Sequence, residues 1–192
     1  MRRLVFETHA TSIDNEAGRA SGWHDVHLSA TGERQAAELG ARYADDTPSI
    51  VLTSDLRRAW RTAMTAFGGR VAIHRDARLR ECDYGQLTLA PAADIARMRR
   101  ARVDTPFPGG ESYVQVVARV RACLADVATI APDGWLLVVG HRATQYALDH
   151  LLAGVPLHDA VVAPWQWQPG WTYWLPEPWP TRVGEGEHTP LA

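Results

Sequence analysis

The sequence predicts an α/β protein, a three-layer sandwich with a mostly parallel central sheet and helices on both faces. Three observations carry that expectation. Short apolar runs at positions 4–6, 50–52 and 136–139 are too brief for helices and stop at polar residues, as buried strands do. Stretches between them repeat their apolar residues at helical spacing, and strands alternating with helices call for parallel pairing. The 192 residues suffice for one domain with a sizeable core and no disulfide or metal.

The elements follow in order. Arg3 to Glu7 reads as a buried strand around Leu4, Val5 and Phe6. Ser29 caps a segment whose Ala36, Leu39 and Tyr43 recur at helical spacing, predicting a helix over 31–44. Ser49 to Thr53 is a second strand, and Ser54 and Asp55 are candidate caps for a helix running to Phe67. Val71 to His74 is a further short strand. Positions 79–107 read as an irregular insertion holding one arginine-rich helix near 94–102. After the Pro108-Gly109-Gly110 turn, Val114, Val117, Val120, Leu124 and Val127 mark a long amphipathic helix over 111–130. Trp135 to Val139 is a buried strand, Thr144 to Leu152 a helix, and Trp171 to Leu175 a last strand. The domain is expected over 1–176, with 177–192 as a tail.

Composition narrows the classes. Net charge is −2, which gives no electrostatic reason to expect nucleic acid as a partner. No apolar run reaches membrane-spanning length and no basic-then-apolar leader opens the chain, so a cytoplasmic protein is expected. Cys82 and Cys123 stand far apart, outside any metal or redox spacing, and read as buried thiols. The 20 basic side chains other than histidine are all arginine, whose planar fork suits phosphate and carboxylate.

Two of the 8 histidines, His9 and His141, directly follow buried strands. Ligands in open α/β sheets gather beyond strand carboxyl ends, so both rings are candidates for one pocket, one attacking and the other holding charge. Arg57 and Arg58 open a helix where an anion would be welcome. Glu81, in the insertion, is a candidate general acid. His24 and His27 lack the third ligand a zinc site needs and read as loop residues.

These strings, in this order, resemble the histidine phosphatase superfamily, which includes the phosphoglycerate mutases. The opening Arg-His-Gly signature of that family falls on Thr8-His9-Ala10, followed by Thr11, Ser12 and Asn15. Gly18-Arg19 and Gly22-Trp23 fall in its substrate loop, Leu28 to Ala36 on its first helix, and Ser54 to Ala59 with Thr62-Ala63 on its phosphate-binding helix. Leu79-Arg80-Glu81 matches the segment bearing its acid, Pro108 to Ser112 its turn, and Val138 to His141 its second histidine. The resemblance implies a phosphoglycerate mutase-like fold and a phosphohistidine at His9, with Glu81 protonating the leaving oxygen and Arg58 and His141 holding phosphoryl oxygens. It further implies Thr8, Asn15, Arg19, Gly22 and Arg142 as substrate-side positions, a small phosphorylated substrate, and no metal or cofactor. Hydrolysis is expected over mutase chemistry; Arg97, Arg99, Arg100 and Arg102 are read as a solvated helical face rather than a lid. Late tryptophans at 165, 167, 171, 174 and 179 are read as core, with a pocket wall or a homodimer contact as alternatives.

The chain also departs from the family. Thr8 stands where the signature has arginine, Ala10 where it has glycine, Glu7 where a strand residue is usually apolar, and Arg142 where a small residue usually follows the second histidine. A buried Glu7 needs a cation. Either Arg142 pairs with it, or Arg142 enters the pocket in place of the missing arginine, or Glu7 reaches solvent at the edge of the sheet. An alternative reading of the whole is a weakened relative that binds a phosphorylated ligand or a protein partner without turnover.

Overall fold

The computed structural model describes residues 1–130 and 133–176; the expected tail and Trp179 lie outside them. Five strands form one sheet: β1 (Arg2–Thr8), β2 (Ile50–Thr53), β3 (Ile73–Arg75), β4 (Leu136–Gly140) and β5 (Trp171–Leu175), in the order β3-β2-β4-β1-β5. All pairings are parallel except that of β5, which runs antiparallel to β1 along the edge. The helices are α1 (Ile13–Glu16), α2 (Ala30–Arg42), α3 (Arg57–Phe67), α4 (Ala92–Met98), α5 (Tyr113–Ile130), α6 (Arg142–Ala153) and α7 (Leu157–Ala160). Among the described residues none is long and apolar enough to cross a membrane.

Strand alternation sorts β1 between the two helical layers. Leu4 and Phe6 join a core with Val120, Leu124, Tyr146 and Ala147 of α5 and α6. Val5 joins the opposite core with Leu39 of α2 and Ala63 and Phe67 of α3. Each fully buried aliphatic or aromatic side chain contributes roughly 1.5–3 kcal/mol. By the same alternation Glu7 points to the α2 side and Thr8 to the α6 side. Close approach of α2 to the first loop depends on Gly32, where a Cβ would lie 2.0 Å from the Thr11 carbonyl oxygen.

Several expected details differ. Helix α3 starts two residues later than its candidate caps: Ser54 Oγ accepts from the Leu56 amide at 3.2 Å, Asp55 is held by Arg80, and the N-cap position is Leu56. Helix α5 turns Tyr113, Val116, Val120, Cys123, Leu124 and Val127 inward and leaves Val114 46% exposed. Val120, Leu124 and Val127 face inward as the spacing predicts and Val117 packs partly buried against the core; Val114 alone of the five lies off the face, which Tyr113 begins by packing edge-on against Phe107 and Tyr146. The insertion holds 3-10 turns at Ala77–Leu79 and Gly85–Leu87, then α4 and a further turn at Arg99–Arg102. Both cysteines are buried free thiols.

Candidate active site

The parallel β1–β4 pair sets the centre. Thr8 pairs in register with Gly140, and the His9 amide donates to the Gly140 carbonyl at 2.9 Å, so the residues that follow both strands emerge together. Their rings lie 4.9 Å apart, centroid to centroid. His9 Nδ1 is 2.8 Å from the Ala10 carbonyl oxygen, a contact that places the ring proton on Nδ1 and leaves Nε2 unprotonated. The Arg58 Nε–H donates toward that Nε2 at 3.3 Å. Burial first, and Arg58 second, lower the His9 pKa from 6.5 to about 3, so the ring is neutral near neutral pH.

Arg58 is 2% exposed and fixed by its other two nitrogens, which donate to the His24 carbonyl at 3.0 Å and the Gly22 carbonyl at 2.8 Å. Burial lowers its pKa while Glu81 opposes the change; a guanidinium remains charged throughout the working range. His141 is 1% exposed, and burial followed by Arg58 and His9 holds its pKa well below 6.5. Neither of its ring nitrogens has a hydrogen-bond partner among the described residues. Buried polar atoms of this kind are rare, and the His141 ring lines the same cleft as His9.

Glu81 enters from the insertion. Its Oε1 accepts from the Cys82 amide at 2.8 Å and the Ala143 amide at 3.2 Å, which ties it to the first turn of α6 and leaves Oε2 without a hydrogen bond among the described residues. A residue not foreseen from sequence clamps this segment: Arg119 of α5 donates to the carbonyls of Arg78, Arg80 and Glu81 at 2.7, 2.7 and 2.9 Å while engaging both Glu111 carboxylate oxygens. Trp23 Nε1 also donates to the Glu81 carbonyl at 2.7 Å.

These groups open into a cleft of about 780 Å³, whose walls include Thr8, His9, Glu81, His141 and Arg142. Asn15 also borders it and caps α1, its Oδ1 accepting from the Ser12 amide. Arg19 lies outside the cleft walls, 3.4 Å from the Leu89 carbonyl, and Gly22 acts through its carbonyl on Arg58. The His24 ring meets Asp14 at 2.9 Å and the His27 ring meets Arg57 at 2.6 Å.

Three expectations are corrected. Glu7 is 2% exposed, but its partners are Arg42 at 3.0 Å and Tyr43 at 2.9 Å on α2 and its end, not Arg142. Strand alternation is the reason: Glu7 faces α2, whereas Arg142 belongs to α6 on the other side of the sheet. Arg99 is not part of a solvated face; it is half-buried and lines the cleft with its guanidinium 5.8 Å from the Tyr146 ring centroid. The tryptophans at 165, 167 and 174 are about half exposed rather than core, and the first two line the cleft from the irregular segment ahead of β5.

Comparison with known proteins identifies the family. The family model for the histidine phosphatase superfamily (branch 1) matches residues 4–167. A glucosyl-3-phosphoglycerate phosphatase of Mycobacterium tuberculosis is 32% identical over 197 residues, covering 91% of this chain and 87% of its own. The uncharacterized phosphatase PhoE of Bacillus subtilis is 31% identical over 150 residues, covering 77% and 76%. Among solved structures, the mycobacterial glucosyl-3-phosphoglycerate phosphatase complexed with VO3 superposes with a TM-score of 0.76 at 29% identity, over 85% of this chain and 88% of that one. The order of elements, the paired histidines and the family match together establish that this chain belongs to the histidine phosphatase superfamily, branch 1.

Proposed function

We propose that the chain is a cytoplasmic phosphoric monoester hydrolase that works through a phosphohistidine on a small phosphorylated metabolite. The observation that carries this reading is the unprotonated Nε2 of His9, which accepts from the Arg58 Nε–H, on a residue that lines one cleft with His141 and Glu81. In the first step that lone pair forms a bond to phosphorus. The ester P–O bond breaks, and the proton carried on Glu81 Oε2 passes to the leaving oxygen, releasing an alcohol. In the second step water attacks phosphorus, Glu81 takes its proton, and the P–N bond breaks to release inorganic phosphate and restore His9. Throughout, Arg58 and the unpartnered His141 nitrogens meet the equatorial oxygens, where charge accumulates.

Phosphatase names among the relatives support hydrolysis. The test is a panel of phosphomonoesters assayed with wild type and His9→Ala, with rapid acid quench and intact mass to detect one phosphoryl group on His9. Turnover and the adduct should both vanish in His9→Ala. If wild type turns over nothing and forms no adduct with any substrate, the hydrolase reading fails and ligand binding without turnover takes its place.

A further inference from the structure

Arg58 alone does not complete a phosphoryl site. It faces His9 through Nε only, because both terminal nitrogens are spent on the Gly22 and His24 carbonyls. A transferring phosphoryl group carries close to two negative charges over three oxygens, and a low-dielectric cleft needs them met by more than one fixed cation. Thr8, the strand residue beside the nucleophile, supplies no charge.

Arg142 is a guanidinium without an anion. It occupies the first position of α6, immediately after His141, and lines the same cleft as His9. Among the described residues no carboxylate lies within ion-pair distance of it; the buried acid nearest in sequence logic, Glu7, is held by Arg42. Its Nη1 donates to Gln145 Oε1 at 2.6 Å, and its guanidinium lies 4.9 Å from the Tyr146 ring centroid and 5.6 Å from that of Trp165. Three contacts thus brace a charge that no carboxylate among the described residues pairs with, although buried charges are ordinarily paired. Position matters as much as charge. Thr8 points to the α6 side of the sheet with Leu4 and Phe6, so a cation from the first turn of α6 reaches the cleft from the side that a longer residue at position 8 would.

We propose that Arg142 is the second guanidinium of the phosphoryl site, carried by α6 in place of a charge at position 8 of β1. The inference rests on the phosphoryl-transfer reading, but it is tested with inorganic vanadate, a probe that has a phosphoryl-like group and no leaving group. Calorimetric titration of vanadate into the full chain should give at least a tenfold weaker Kd for Arg142→Gln and a smaller loss for Arg142→Lys. The exposed Arg97→Gln should bind as wild type does. Adding Thr8→Arg to Arg142→Gln should recover at least fivefold of the lost affinity, which a merely structural role for Arg142 would not produce. A variant-free readout covers the case in which Arg142→Gln fails to fold: the Arg142 Nε–H resonance of wild type should shift saturably with vanadate.

Vanadate affinity unchanged in a folded Arg142→Gln, or an Nε–H signal indifferent to vanadate, overturns the proposal and leaves Arg142 to the leaving group or the fold. Failure of the hydrolase reading looks different. It would appear as Arg142-dependent vanadate binding with no turnover of any ester, whereas turnover with Arg142-independent vanadate binding sinks only this inference.

Discussion

A neutral His9 at working pH is the condition on which the proposed nucleophilic attack depends, and it can be measured directly. Burial and the Arg58 charge bring its pKa from 6.5 to about 3. In long-range nitrogen–proton NMR spectra the His9 ring should therefore stay in one neutral tautomer, protonated on Nδ1, between about pH 8 and about pH 5. Replacing Arg58 with Gln removes the second cause but keeps the first, so the midpoint should rise and still stay below 6.5. The same shift makes a stability statement. Below 6.5 the unfolded chain binds a proton on this ring that the native state refuses, so native stability falls as pH drops from 6.5 toward 3 and levels off beneath that. The interval sets an upper bound of about 5 kcal/mol; because the ring borders an open cleft, solvent screening reduces the expected loss to about 2 kcal/mol. Urea denaturation of wild type and His9→Gln across that range reads the difference, which should shrink as pH falls. A wild-type midpoint near 6.5, or a difference in stability that ignores pH, would refute the desolvated nucleophile.

Further outcomes follow from other contacts. Glu81→Gln should lower kcat by about 10²–10⁴-fold for alkyl phosphates and far less for nitrophenyl phosphate, whose leaving group needs no proton; equal losses for both would remove Glu81 from the acid role. Gly32→Ala, with its methyl 2.0 Å from the Thr11 carbonyl oxygen, should cost about 2–3 kcal/mol in denaturant unfolding and depress activity through the loop that follows Ala10. Arg42→Met leaves the Glu7 carboxylate with Tyr43 alone and should cost about 2 kcal/mol, a figure below that of a fully buried pair because Arg42 is one-third exposed. Adding Glu7→Gln to Arg42→Met should restore most of that loss, and no recovery would mean that Arg42 acts through packing instead.

Much of the site was legible because the chemistry sits where secondary structure changes. His9 and His141 end apolar runs, Arg58 begins a helix, and the register of two neighbouring parallel strands brings the histidines together. What remained hidden depends on direction rather than position. Sequence spacing suggested that Glu7 is buried and needs a cation, yet which of the many arginines serves is decided by the face of β1 it occupies. Val5 and Glu7 share the α2 face, and Arg42, one helix length away, was not singled out by any motif. Arg99 was misjudged for a similar reason. In a short run of arginines the local pattern does not say which one turns inward, and the Tyr146 ring that receives it is contributed by a helix 43 positions later in the chain. Arg119 escaped notice because its targets are backbone carbonyls, which carry no sequence signature.

The replaced signature residues divide into one that needs no compensation and one that does. Ala10 is not among the described residues with positive φ, so its methyl group brings no backbone strain. Its two backbone groups perform work that a side chain does not alter: the carbonyl meets His9 Nδ1 at 2.8 Å and the amide donates to Thr62 Oγ1 at 3.0 Å. A glycine at this position would offer the same two contacts. Thr8 is different, since no backbone group replaces a guanidinium. The cleft around it contains charged groups of both kinds, but Arg42 is committed to Glu7, and Arg58, behind His9, is largely committed to carbonyls. Of the arginines in the cleft walls, Arg99 and Arg142 are the two without a carboxylate partner among the described residues, and only Arg142 is covalently adjacent to a site histidine. Under the proposed role of Arg142, charge at the phosphoryl pole comes from the start of the helix that follows β4 instead of the end of β1, across a strand pair whose register keeps the two positions side by side.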